Sequence, residues 1–252
     1  MDGDSSQHRY TAAARDGGRP LIVTVHPPPP NGPDLGAMDL RLVQLRELGH
    51  RVLDLPVAWG DVDGRGWVAD DLPSIPTAAE RLERGPLALQ EGVSIIRDVA
   101  RALAAMHRRE IAHGAISLEA IRIGDGGARV GHVGNGLGVS PRHDLDALGE
   151  VAWLLLSGQR GPSRPRPLSQ LRRGVSPELE NLCAMLLAAD PARRPQCAEA
   201  VLDALDSIPS RRAGPPGFID RAERDARRPM HVAWFIVGVA VLLLLVLAAL
   251  RG

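Results

Sequence analysis

Residues 105–134 read AMHRREIAHGAISLEAIRIGDGGARVGHVG, and this stretch decides the architecture. It opens as the end of a helix. From Gln90 to Met106, Val93, Ile96, Val99, Ala100, Leu103 and Met106 recur at helical spacing, giving one apolar face over about four turns. It closes with two short apolar runs, Ile121 to Ile123 and Ala128 to Val130. Gly124-Asp125-Gly126-Gly127 joins them, the composition of a hairpin turn. Between helix and hairpin runs a loop carrying His113. A second histidine, His132, follows the second strand.

Working outward, the downstream chain is helical. Asp144 to Leu156 is apolar on more than one face. Pro177 to Ala188 aligns Leu179, Leu182, Cys183, Leu186 and Leu187, and Gln196 to Leu205 aligns Ala198, Val201, Leu202 and Leu205. Upstream the chain is strand-like and broken by prolines. Leu21 to Val25 is a strand ended by Pro27 to Pro30. Met38, Leu42, Leu45 and Leu48 share a helix face, with Gly49 as the stop signal. Arg51 to Leu55 and Trp67 to Ala69 read as strands, with the turn-rich Asp61 to Gly66 between them as a hairpin. Strands first and helices later make an α+β protein.

Composition excludes several classes of function. The chain has 252 residues, with 30 basic and 30 acidic ones, so its formal net charge is zero. Such a chain with 3% aromatics has no footprint for nucleic acid. Every basic residue is arginine. Schiff-base chemistry and phosphate binding by an ammonium are therefore excluded. Cys183 and Cys197 lack metal-ligand spacing, and two thiols make no disulfide framework, which points to a reducing compartment.

Met1 to Arg19 contains no apolar leader. The other end differs: Val232 to Leu250 is an uncharged run of nineteen residues. At ~1.5 Å per residue it spans roughly one hydrocarbon core, and it lacks the polar outer face of a core helix. We expect a transmembrane helix over 231–250, in contact with membrane lipid, preceded by a Pro-, Gly- and Arg-rich linker over 209–230. Arg221, Arg224, Arg227 and Arg228 precede the span. The arginine excess puts the bulk of the chain on the cytoplasmic side, as a single-pass, tail-anchored protein.

The 105–134 stretch resembles the catalytic region of bacterial Ser/Thr protein kinases. In that family a helix ends in Leu-x-x-x-His, and a His-Arg-Asp loop, a hairpin and Asp-Phe-Gly follow. Here Leu103 and His107 close the helix, His113-Gly114-Ala115 through Ala120 forms the loop, and His132-Val133-Gly134 follows the hairpin. Asp144 through Gly149, then Leu156-Ser157-Gly158, resembles the family's Asp-x-x-x-Leu-Gly helix. Asp190-Pro191-Ala192-Arg193-Arg194-Pro195 matches Asp-Pro-x-x-Arg-Pro. Leu48-Gly49-His50-Arg51-Val52 resembles the family's Leu-x-His-Pro-x-Ile after helix C, and Ala69 to Leu72 falls at the hinge between lobes. The resemblance covers roughly residues 10 to 206. It implies structural roles for His113, Gly134, Asp144, Gly149, Asp190 and Arg194.

The departures fall on the chemistry. Phosphoryl transfer is mostly positioning and charge neutralisation. Where the resemblance implies a proton-accepting Asp the chain has Ala115. Where it implies a metal-binding Asn it has Ala120, and where it implies a metal-binding Asp it has His132, a poor ligand for hard magnesium. The lysine of the third strand falls on Thr24, and its glutamate partner falls near Arg41. The resemblance starts at about Tyr10, at the second strand. The nine residues before it are too few for the first strand and its Gly-rich loop. Only Asn135 to His143 separates Gly134 from Asp144, in place of the family's long activation segment, whose closing glutamate would normally pair with Arg194, so the resemblance leaves the partner of Arg194 open. Gly134 to Gly138 reads as a compact turn rather than a phosphate loop.

The expectation is a kinase-like two-lobed α+β fold: a disordered 1–9, a truncated N-terminal lobe over 10–72, a helical C-terminal lobe over 73–208, the linker and the anchor. Its expected function is that of a catalytically inactive pseudokinase that scaffolds or regulates a protein partner, with no cofactor and no metal. The alternative is an atypical ATP- and magnesium-dependent Ser/Thr kinase, or a nucleotide sensor with an adenine slot at Asp70 to Leu72. The kinase alternative would draw metal ligands from Glu119, Asp125 and Asp146.

Overall fold

The computed structural model describes residues 8–12, 20–26, 35–71, 74–133, 139–159 and 166–208. In chain order these form β1 (His8–Ala12), β2 (Leu21–Val25), α1 (Leu35–Leu48), β3 (Ala58–Val62), β4 (Arg65–Asp71), α2 (Ala78–Glu83), α3 (Leu89–His107), β5 (Ile121–Gly124), β6 (Gly127–Val130), α4 (Pro141–Ser157), α5 (Leu168–Leu171), α6 (Pro177–Leu186), a 3-10 turn (Pro191–Arg193) and α7 (Ala198–Asp206).

Two compact units emerge. One takes the described residues of Met1–Leu40 and Pro56–Ser74; the other takes those of Arg41–Leu55 and Ile75–Pro216. Helix α1 contributes its first part to the one and, from Arg41, its second part to the other.

The first unit is an antiparallel four-stranded sheet in the order β1-β2-β4-β3. Its apolar cluster is small: Leu21, Val23, Val25, Ala58, Trp67 and Ala69. Trp67 lies across Gly60 on the neighbouring strand, where an added Cβ would meet the indole at 2.9 Å, so only glycine admits the ring. Asp63 and Gly64 join β3 to β4 with positive φ at both positions (52° and 74°), the geometry of a two-residue hairpin that an Asp-Gly pair favours.

The second unit is helical, with the β5–β6 hairpin attached. Helix α3 supplies the centre of its core: Ile95, Ile96, Val99, Leu103 and Met106 are buried, along with Leu145, Leu148, Val151 and Leu155 of α4. Local signals explain the element ends. Thr77 and Glu80 form a reciprocal capping box at the start of α2. Ser176 caps α6, with Pro177 in its first turn. Gly158 ends α4 in the left-handed conformation (φ 70°), where a side chain is strained.

Three sequence expectations need correction. Arg51 to Leu55 is not a strand. Leu53 makes one isolated parallel bridge to Val130, flanked by Asp54 N–H to Val130 O at 2.8 Å and Val130 N–H to Val52 O at 2.7 Å. The apolar alternation there serves burial of Val52 and Leu53, not a ladder. The partner of β4 in the hairpin is instead Ala58–Val62. The N-terminal strand begins at His8, inside the segment expected to be disordered, because its register with Val25 extends that far. Leu72, Gly134 to Gly138, Pro27 to Pro30, the linker and the 231–250 span lie outside the described residues. Among the described residues no helix is long and apolar enough to cross a membrane.

Candidate functional site

The loop from Ile111 to Ala120 joins α3 to the β5–β6 hairpin, and a buried carboxylate organises it. Ser140 and Pro141 start α4, which places Asp144 in the first turn with its side chain fully buried. Asp144 Oδ2 accepts the His113 N–H at 2.7 Å, and Oδ1 accepts the Gly114 N–H at 2.6 Å. His107, the last residue of α3, places Nε2 2.9 Å from Oδ2. Burial works to raise the Asp144 pKa. Hydrogen bonds from His107, Gly114 and His113 outweigh it and hold the carboxyl below its ordinary range.

His113 is fully buried, and its Nδ1 accepts the Ala115 N–H at 3.3 Å. Burial pushes its pKa down to about 4. Asp144 opposes that shift, Arg41 adds to it, the Gly131 backbone opposes it, and His132 adds to it. The imidazole is therefore neutral at pH 7. It works as a backbone brace, not as an acid. Among the described residues its Nε2 has no hydrogen-bond partner of ordinary geometry.

Arg41 on α1 closes the loop's other side. The guanidinium Nη2 donates to the carbonyl of Ala112 and, at 3.3 Å, to that of His113. The side chain is buried, and burial lowers its pKa against the opposing charge of Asp144.

The residues that the resemblance sets at the phosphotransfer positions all fall among the described residues. Ala115 follows the His113 brace, and Ala120 is buried with its N–H on Ser117 Oγ at 3.2 Å. His132 sits just past β6 with φ 60°, a left-handed backbone uncommon outside glycine. Thr24 belongs to the sheet unit, buried on β2 between Arg9 of β1 and Val68 of β4. Two methyls and an imidazole offer no oxygen donor set for a hard divalent cation, so these positions do not fit magnesium. Among the described residues no group of three or more His, Cys, Asp or Glu is gathered for a metal.

The carboxylates of the alternative reading are not brought together. Asp125 lies in the β5–β6 turn, Glu119 is exposed, and Asp146 is engaged by Arg194.

The remaining framework residues have mechanical roles. Gly149 lets α4 meet α6, since a Cβ there would sit 2.8 Å from the Leu186 carbonyl oxygen. Asp190 caps the 3-10 turn by accepting the Ala192 N–H at 3.0 Å. Arg194 donates from Nε to Ala188 O at 2.6 Å and from Nη1 to Asp146. Sequence reasoning missed three pairings: Asp146 with Arg194, Arg41 with the loop carbonyls, and His107 with Asp144. The one available signal was the helical spacing that puts Arg41 beside Leu42 and Leu45 on the buried face of α1.

No family model matches the chain, and no curated protein matches it by sequence. Among solved structures it is similar to the kinase domain of PknI from Mycobacterium tuberculosis. A single-mutant form of that domain gives a TM-score of 0.59 at 20% identity, over 82% of this chain and 92% of that one. A double mutant and a third structure of the same domain each give 0.58 at 20% identity over the same shares. The chain has a protein kinase-like fold.

Proposed function

We propose that the protein is a membrane-tethered pseudokinase: a kinase-like domain that binds a protein partner and transfers no phosphoryl group. One observation carries the reading. The backbone of the 111–120 loop is held by Asp144 and His113, while the side chains at Ala115 and Ala120 offer neither a proton acceptor nor a metal ligand. His132 and Thr24, and a chain without lysine, support it at the other two positions. The uncharged run from Val232 to Leu250 and the arginines before it support a single anchor with the domain on the cytoplasmic side.

The test is a thermal-shift titration of the full-length chain in detergent micelles with ATP, with and without magnesium or manganese. The expected result is no shift at millimolar nucleotide. A metal-dependent rise in Tm, which binding to the native state produces by mass action, would overturn the reading. Tethering is tested separately: the full chain stays with membranes through an alkaline wash, and a chain ending at 230 is released.

A further inference from the structure

The resemblance puts an acidic residue near position 41, and the chain has a buried arginine there. Its guanidinium binds the carbonyls of Ala112 and His113. The amides that come next, of His113 and Gly114, are bound by Asp144. One short run of backbone is thus gripped on its acceptors by a cation from α1 and on its donors by an anion from α4.

The two charges need each other. A buried ion loses its hydration, and a counter-charge and hydrogen bonds must offset the loss. Arg41 and Asp144 are both buried. The Asp144 charge favours protonated Arg41, opposing the effect of burial. Among the described residues Arg41 Nε has no hydrogen-bond partner, and the grip rests on Nη2 and on charge.

We infer that Arg41 and Asp144 form a through-loop clamp. It joins the second part of α1, the 112–114 backbone and the start of α4 into one conformational unit, locked in a single position. The lock stands on this geometry alone and is independent of partner or nucleotide, so a nucleotide-induced thermal shift would leave it untouched.

Hydrogen exchange followed by mass spectrometry on the full-length chain in micelles tests it. Asp144 makes no hydrogen bond to α1, and Arg41 makes none to the Gly114 amide. The clamp nevertheless predicts crossed effects. Arg41→Met raises exchange at the 113 and 114 amides about tenfold, and Asp144→Asn raises exchange in residues 43–48 of α1 by a similar factor, while α6 stays at the wild-type rate. Thermal unfolding of R41M/D144N falls within roughly 2 °C of the worse single variant instead of adding the two losses. Wild-type exchange at Gly114 in R41M would overturn the clamp, as would additive Tm losses. Should D144N fail to fold, Arg41→Met and the charge-conserving Arg41→Lys decide. Arg41→Lys is expected to recover part of the Gly114 protection, and equal loss in both variants would remove charge from the account.

Discussion

Asp144 and Asp146 leave helix α4 two residues apart, and their surroundings differ in every respect that sets an energy. Asp144 is fully buried and accepts from the His113 and Gly114 amides and from His107, with Arg41 as its counter-charge. Asp146 has a 44% exposed side chain and pairs with Arg194, itself 24% exposed. Both are carboxylates with a basic side chain as partner. Only the first holds a loop. Burial, rather than the presence of a pair, separates an organising residue from a surface tie, because water screens and replaces the second but not the first.

The largest effect expected from this contrast is thermodynamic. Asp144→Ala strands Arg41 without its counter-charge and leaves the buried His113 amide and the half-buried Gly114 amide without an acceptor. It should cost about 3–5 kcal/mol, enough to unfold a marginal domain. Asp146→Ala should cost under about 1 kcal/mol. Urea unfolding of the two variants measures both, and equal losses would break the comparison.

Next comes pH. His113 is less basic folded than unfolded, with its pKa pushed from 6.5 to about 4 by burial. The unfolded chain therefore takes up the proton first. Stability is complete above pH 6.5 and falls as pH drops toward 4, by roughly 3 kcal/mol at most from this group. His26 and His50, both shifted down by burial, act in the same direction. Asp144, whose folded pKa is depressed, adds a further loss below the ordinary carboxylate range. His113→Asn keeps an acceptor for the Ala115 amide and should flatten the slope between pH 6.5 and 4.5. An unchanged slope would mean that the imidazole is not held neutral.

Packing sits one step lower. Gly149→Ala pushes a methyl against the Leu186 carbonyl oxygen, a backbone atom that cannot step aside without moving α6. About 1–3 kcal/mol is expected, again by urea unfolding. A neutral result would show that α4 and α6 have more freedom than their spacing implies.

The same contrast explains what the sequence could carry. Helices α3, α6 and α7 were legible because each shows a 3.6-residue apolar period, and α4 because its run is apolar on more than one face. Asp144, His113 and Gly149 were singled out in the sequence through the ordered motifs around them. The partner of Arg194 was not, because Asp146 stands 48 residues away and the glutamate suggested by resemblance is absent. Arg41 was illegible for a related reason. A charged residue on a helix reads as solvent-facing, and its place beside Leu42 and Leu45 becomes telling only with the tertiary contact to Ala112, 71 residues on. Arg51 to Leu55 misled because apolar alternation records which side chains are buried, and a single bridge to Val130 satisfies that without a strand.

A third ion pair sharpens the argument at its weak end. Arg108 Nη1 and Glu199 Oε1 lie 3.0 Å apart, nearly the separation of His107 and Asp144, with side chains 65% and 41% exposed. The pair links the C-terminal end of α3 to the first turn of α7, where geometry alone would suggest a stabilising contact. Exposure says otherwise: two long side chains give up rotamer freedom for a contact that water screens. A double-mutant cycle on Arg108→Ala and Glu199→Ala should return a coupling of about 0.5 kcal/mol or less, vanishing in high salt. A salt-resistant coupling near that of the Arg41–Asp144 pair would show that distance matters more than burial in this protein, and the ranking of its carboxylates would have to be rebuilt on that basis.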